Sequence, residues 1–130
     1  MLNRHTIEQT LLKGYLDSLL ELCMDARGAP LARVYSRANF DTESRKCALG
    51  RIRLLIDRLC GVYPYLAVAD EISLGTLAYD FAVSSQGSAS AFIGRVGFYG
   101  EDGGRLERIA EMFVSMRVTE NDNNTLSIIV

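Results

Sequence analysis

Few residues in this sequence are of the types that bind metals or carry out nucleophilic chemistry. His5 is the only histidine, and the three cysteines, Cys23, Cys47 and Cys60, form no C-x-x-C pair. A first-row metal needs several such ligands close together, and the chain also lacks a phosphate-binding loop and a nucleophile motif. We therefore expect no metal site and no cofactor. The odd number of cysteines argues against a complete disulfide framework and is typical of the reducing cytoplasm.

Charge is distributed unevenly along the chain. Between Arg27 and Arg58 there are eight basic and three acidic residues, whereas the remainder carries six basic and thirteen acidic ones. A basic segment can attract nucleic acid, but this one has few aromatic residues to stack on bases, so nucleic acid is not an expected partner. The apolar runs are too short to span a bilayer, and the polar Met1–Gln9 is unlike a signal peptide.

The spacing of apolar residues predicts helices in the first half of a single domain, residues 1–130. Apolar residues from Ile7 to Cys23 recur every three or four positions and follow a capping-box pattern at Thr6 and Gln9. Gly28 and Pro30 are expected to end this helix. Leu31–Tyr35 could be a short helix or a strand. A further helix is predicted over Gly50–Leu59.

After Pro64 the pattern changes to one that favours strands. Alternation over Leu77–Val83 predicts a half-buried strand. Further strand faces are predicted around Phe92, Val96 and Phe98, from Ala110 to Val118, and over Leu126–Val130, with polar turns at Glu101–Gly104 and Asn121–Asn124. Leu106–Phe113 would also suit a helix. The sequence thus predicts an α+β fold, in which N-terminal helices pack on a C-terminal antiparallel meander.

Several short motifs spread over nearly the whole chain resemble those of the nuclear transport factor 2-like superfamily, which includes ketosteroid isomerases and polyketide cyclases. These motifs are Leu12-Lys13-Gly14-Tyr15, Arg33-Val34-Tyr35, Phe40-Asp41, Gly50-Arg51, Val62-Tyr63-Pro64 and the strand–turn–strand pattern from Arg95 to Phe113. The resemblance implies a cone-like fold, in which helices close the mouth of a curved sheet around an apolar cavity. Members of the superfamily commonly form homodimers through the outer face of the sheet.

The resemblance also implies a site for acid–base chemistry on a carbonyl compound. Tyr15 matches the tyrosine that hydrogen-bonds the developing enolate, and Asp41 matches the general base, although a different alignment anchor puts Glu43 there. A carboxylate with a reference pKa of about 3.9 needs an apolar wall to become an effective base. The acid that the sheet should supply falls at Arg95 or Gly94 and is therefore missing. The predicted lining of the cavity is Leu19, Tyr79, Phe81, Phe92, Arg95, Val96, Met112, Val114 and Met116.

Structural interpretations compete with each of these assignments. Tyr15 lies on an apolar stripe and could be a core tyrosine, Asp41 could be the N-cap of a helix that begins at Thr42, and apolar alternation is equally typical of a filled core. Two functional hypotheses remain. One is a small cofactor-free isomerase, cyclase or dehydratase with an apolar small-molecule ligand, and the other is a noncatalytic ligand-binding or protein-interaction module of the same fold.

Overall fold

The computed structural model of the chain describes residues 3–59, 71–86, 103–112 and 117–129. The four α-helices of these ranges are α1 (Arg4–Leu22), α2 (Thr42–Leu59), α3 (Glu71–Ser85) and α4 (Gly103–Glu111), and the strands are β1 (Arg117–Glu120) and β2 (Leu126–Ile129). Short 3-10 helices cover Leu31–Arg33 and Arg37–Asn39. The α+β class predicted from the sequence is confirmed, with helices predominating over one antiparallel sheet. No helix in these ranges is both long enough and apolar enough to cross a membrane.

Helix α1 begins earlier than its sequence pattern predicts. Its N-cap is Asn3, whose Oδ1 accepts a hydrogen bond from the backbone N–H of Thr6 at 2.8 Å. Asparagine is as good an N-cap as threonine, and the added turn is held by an Arg4–Glu8 ion pair at 3.0 Å. The prediction of Thr6 as the cap is therefore wrong.

Helix α1 ends at Leu22, before the glycine and proline that the sequence suggests as its end. The chain then turns around Asp25, whose Oδ1 accepts hydrogen bonds from the backbone N–H groups of Arg27 and Ala29. Gly28 has a φ of 79°, a conformation that glycine adopts without strain. This turn brings the segment from Leu31 onward back along α1.

Helix α2 begins at Thr42 and not at Gly50, which lies in its interior. The helix is antiparallel to α1, because Arg4 pairs with Asp57 at 2.7 Å and Glu8 pairs with Arg53 at 2.8 Å. Glu8 is nearly buried and bonds both arginines. These contacts fix the start of α1 against the end of α2.

The predicted strand over Leu77–Val83 is wrong, since these residues lie in α3. Residues Leu74, Leu77, Ala78, Phe81 and Ala82 are all buried and follow helical three- and four-residue spacing. The remaining residues from Asp80 to Ser85 are buried as well: Asp80, Val83, Ser84 and Ser85. A helix buried on nearly all sides has no polar face, and small residues at alternate positions then imitate the period of a strand.

The C-terminal region is also more helical than predicted. The turn signal at Gly103-Gly104 begins α4, and Leu106, Ile109 and Ala110 form its buried face. The strand predicted from Ala110 and the strand that the resemblance implies through Ile109 are wrong within α4. The alternative of a helix from Leu106 is confirmed as far as Glu111. The strand predicted at the chain's end is confirmed, because β2 pairs antiparallel with β1 from Arg117↔Ile129 to Glu120↔Leu126. Phe92 to Phe98, Val114 and Met116 lie outside the described residues.

A close helix contact in the core joins α1 and α3, which run in the same direction. A Cβ atom added to Gly14 would lie 2.9 Å from Cβ of Ala78, so only glycine fits there. Nearer the helix ends, Cys23 Sγ lies 3.9 Å from Oε1 of Gln86. Beside Gly14, the rings of Tyr15 and Phe81 stack with their centroids 5.4 Å apart.

We predict that Gly14→Ala destabilises the protein by about 1–3 kcal/mol, because the added methyl group forces α1 away from α3. Urea unfolding measures this change. Gly50→Ala is the matched control, since no atom lies within 4 Å of its added methyl group. The control should raise the free energy of unfolding by about 0.5–1 kcal/mol, because alanine favours a helix interior. A Gly14→Ala variant as stable as the wild type would contradict the close packing.

Candidate functional site

Tyr15, which the sequence suggests as an oxyanion donor, is fully buried between helices. Its hydroxyl group hydrogen-bonds with the side chains of Arg51 on α2 and Ser85 on α3. Burial raises the pKa of Tyr15, and the bonds with Arg51 and Ser85 oppose this rise. The phenol therefore stays protonated at neutral pH and can donate a hydrogen bond.

Further buried polar side chains continue from Tyr15 along α3 toward α4. Asp80, Ser84 and Ser85 are 0–2% exposed, and Glu107 on α4 is 5% exposed. Asp80 and Ser84 are four residues apart and so share one face of α3. Ser84 Oγ donates a hydrogen bond of 2.9 Å to Oε1 of Glu107. The sequence singled out Tyr15 but none of the other members of this group, which we call the buried polar cluster: Tyr15, Arg51, Asp80, Ser84, Ser85 and Glu107.

Asp41, the predicted general base, is the N-cap of α2. Its Oδ1 accepts a 2.7 Å hydrogen bond from the backbone N–H of Ser44, and its Oδ2 accepts a 2.5 Å bond from Oγ of Ser127. Asn121 in turn donates a hydrogen bond to Ser127 Oγ. In the opposite direction, the backbone N–H of Ile128 donates to Ser44 Oγ. The carboxylate thus joins the start of α2 to the C-terminal hairpin.

These hydrogen bonds make Asp41 a weaker base. The bond from Ser127, and then those from Ser44, hold the pKa of Asp41 below its ordinary value, whereas a general base needs a raised pKa. Asp41 also lies ten residues before Arg51, which contacts Tyr15, and ten helical residues span about 15 Å. The two predicted catalytic side chains therefore contact parts of α2 that are about 15 Å apart.

The alternative base and the predicted cavity lining are dispersed over the described structure. Glu43 is exposed, with Lys46 as an ion-pair partner at 3.8 Å. Leu19 and Phe81 are buried in the same hydrophobic core as Tyr15. Tyr79 is 41% exposed and Met112 is 54% exposed, so neither is enclosed with them. The remaining lining residues are outside the described ranges: Phe92, Arg95, Val96, Val114 and Met116.

The cysteines and acidic residues of the described ranges give no sign of metal chemistry. Within residues 3–59, 71–86, 103–112 and 117–129, no three His, Cys, Asp or Glu side chains are grouped so that they could hold a metal ion. Cys23 is half-buried, and burial raises the pKa of its thiol. A thiol with a raised pKa is a poor nucleophile at neutral pH.

A surface groove of about 350 Å³ lies over the exposed side of α1. Its lining combines two tyrosines with two carboxylates, and we call it the tyrosine groove: Asp17, Ser18, Leu20, Glu21, Ala32, Tyr35, Ser36 and Tyr79. Asp17 pairs with Arg37 at 2.6 Å, and the Tyr35 hydroxyl donates a 2.8 Å hydrogen bond to Oε2 of Glu120. Glu21 is exposed and forms no ion pair with another described residue.

A second groove, of about 220 Å³, continues along α1 toward its N-terminus. We call it the basic groove, because three of its six lining residues are cationic: Leu12, Lys13, Leu16, Arg37, Ala38 and Arg45. Arg45 is committed to the carbonyl oxygens of Phe40 and Ala38. Lys13 is exposed and has no ion-pair partner in the described part of the chain. The two grooves therefore give one surface a cationic end and an anionic end.

Comparison with known proteins provides no relative from which a function could be transferred. No family model matches the chain, and neither a curated protein nor a solved structure is significantly similar to it.

We predict that Asp41→Asn lowers stability by about 0.5–1.5 kcal/mol at neutral pH, since asparagine still caps α2 but loses the charged acceptor for Ser127. A lowered pKa in the folded state stabilises fully above the ordinary pKa of aspartate. This contribution is lost as the pH falls through the lowered pKa. The gap between wild type and variant should therefore shrink at about pH 3, as measured by chemical denaturation.

The matched control is Asp122→Asn, in the turn of the same hairpin. Asp122 is exposed and makes no hydrogen bond with a described residue. This variant should follow the wild type at both pH values. An Asp41→Asn gap that widens on acidification would contradict the assigned role of Asp41.

Proposed function

We propose that this chain is a noncatalytic protein-interaction module, and that its binding surface is the exposed side of α1 with the tyrosine groove. The observation that carries the proposal is the presence in one groove of an exposed aromatic ring, Tyr79, and the carboxylate of Glu21, which forms no ion pair with another described residue. Large aromatic side chains are enriched at protein interfaces because they bury much area and keep one polar end. Tyr79 is such a side chain, because 41% of it is exposed on the surface of α3.

The state of the two predicted catalytic residues supports an interaction role. The carboxylate of Asp41 is occupied by Ser44 and Ser127 and has a lowered pKa. Tyr15 is enclosed by the core, with Phe81 against its ring. Helix capping thus accounts for the position of Asp41, and core packing accounts for that of Tyr15. Neither role requires a substrate.

The chemistry of the tyrosine groove favours a cationic side chain from the partner. A lysine or arginine can lie over the face of a tyrosine ring, where it gains about 0.5–2 kcal/mol from the cation–π interaction. Glu21 supplies the opposite charge beside that ring. Asp17 contributes less, because Arg37 already neutralises it. A basic segment of a protein is therefore the partner with the best fit.

We predict that a short lysine-rich peptide binds the tyrosine groove, and that Tyr79→Ala weakens this binding about 2- to 30-fold through loss of the cation–π contact. Glu21→Gln should also weaken binding, most strongly at low salt. Isothermal titration calorimetry measures both effects. Glu43→Gln, an exposed carboxylate on α2 outside the groove, is the control and should bind as the wild type does. If all three variants bind the peptide as tightly as the wild type does, the proposed surface is refuted.

An acid–base enzyme acting on an apolar carbonyl compound is a second proposal, and Tyr15 is the residue that favours it. A protonated tyrosine beside an arginine in a dry site is a suitable donor to a developing oxyanion. This proposal also depends on the resemblance to the nuclear transport factor 2-like superfamily, whose cone-like sheet encloses the ligand. It requires a base other than Asp41, because the pKa of that carboxyl group is lowered.

The two proposals differ in how they respond to Tyr15→Phe. The substitution keeps the ring contact with Phe81 but deprives Arg51 and Ser85 of a buried partner, so it should cost about 1–3 kcal/mol of stability. If the chain is an interaction module, the variant still binds the lysine-rich peptide. If it is the enzyme, a panel of apolar ketones and phenols stabilises the wild type by about 2.7 kcal/mol at a hundred times the dissociation constant. That stabilisation would be reduced in Tyr15→Phe.

A further inference from the structure

We propose that the partner of this surface is a second copy of the same chain, which docks antiparallel along α1 about a two-fold axis at Asp17. The inference rests on the proposed interaction surface and identifies the cation that enters the tyrosine groove as Lys13 of the second copy. Lys13, Asp17 and Glu21 are all exposed on α1. We call these three residues the α1 stripe.

The spacing of the α1 stripe is self-complementary. Residues four positions apart share one face of a helix and are about 6 Å apart along its axis. When two such helices lie antiparallel about a two-fold axis at the central residue, each first position faces the third position of the other helix. Lys13 of one copy then faces Glu21 of the other, and the same pair forms a second time by symmetry. A two-fold contact of this kind closes, and it leaves no free end for a filament.

The ion pair between Arg37 and Asp17 reduces the electrostatic repulsion at the centre of this arrangement. The symmetry brings the two copies of Asp17 together at the axis, and two bare carboxylates would repel each other there. In this chain NH1 of Arg37 lies 2.6 Å from Oδ2 of Asp17, so each carboxylate carries its own counter-charge. Lys13 and Glu21 have no ion-pair partner among the described residues of the single chain, and these are the two positions that the second copy pairs.

The same charges exclude the parallel arrangement. Two parallel α1 helices in register would place Lys13 against Lys13 and Glu21 against Glu21, which is repulsive at both ends.

The contact must also extend beyond α1, because a stable interface covers about 800 Å² on each partner. The grooves on this surface provide the additional area. Lys13 of the second copy reaches Glu21 and Tyr79 in the tyrosine groove, and the basic groove around Lys13 receives the acidic end of the other helix.

Charge reversal tests this arrangement directly. Lys13→Glu and Glu21→Lys each convert both attractive pairs into repulsive ones, so each should raise the dissociation constant of the homodimer at least about tenfold. The double variant Lys13→Glu/Glu21→Lys restores the opposite charges and should dimerise as the wild type does. An equimolar mixture of the two single variants should form a heterodimer. Sedimentation velocity over a range of concentrations measures all four, at low and at high salt.

Glu43→Lys and Lys46→Glu on α2 make the same charge changes at exposed positions outside both grooves, and these variants should dimerise normally. Circular dichroism checks that every variant is folded. A homodimer that the α1 reversals leave unchanged overturns the inference, because its interface then lies elsewhere. A monomeric wild type that still binds the lysine-rich peptide through Glu21 overturns the second copy as partner but leaves the proposed function standing. A monomer that binds no peptide overturns both.

Discussion

The close contact of Gly14 on α1 with Ala78 on α3 is the constraint on which the other features of this structure depend. With no side chain at Gly14, the two helices approach until a methyl group would not fit between them. That approach places Tyr15 against Phe81 and directs its hydroxyl group toward Arg51 and Ser85. It also fixes the rotation of α1 about its own axis. Lys13, Asp17 and Glu21 of the α1 stripe remain exposed to solvent in this orientation.

Sequence periodicity predicted the fold where an element has one buried and one exposed side. Helix α1, the second half of α2 and strand β2 have such a division, and their patterns identified them correctly. Helix α3 has none, because almost every side chain from Leu77 to Ser85 is buried. A sequence pattern distinguishes the period of a helix from that of a strand only when one face of the element is apolar and the other is polar. For the first half of α2 the sequence allows a helix that begins at Thr42 with Asp41 as its N-cap, and the bond from the Ser44 N–H to Asp41 confirms this interpretation.

The predicted cavity depended on the assignment of Leu77–Val83 as a strand, whereas these residues lie in helix α3. As a strand, the segment would place Tyr79 and Phe81 on one face, and both were predicted to line a cavity. In a helix, residues two positions apart point about 200° apart, so Phe81 enters the core while Tyr79 is exposed and lines the groove. The role of Asp41 could not be settled from its neighbours alone. An N-cap and a general base are both carboxylates before a helix, and the bond from Ser127 that lowers the pKa comes from 86 residues away.

The Arg37–Asp17 ion pair illustrates how a surface contact can matter more for recognition than for stability. Its side chains are about half exposed, and such a pair adds only about 0–1 kcal/mol to folding. Its larger effect is on the charge pattern of the surface. By neutralising the middle of the α1 stripe, it leaves a cation at one end and an anion at the other, separated by about 12 Å along the helix. Opposite charges at the two ends select the orientation of a partner, because the reversed orientation brings like charges together.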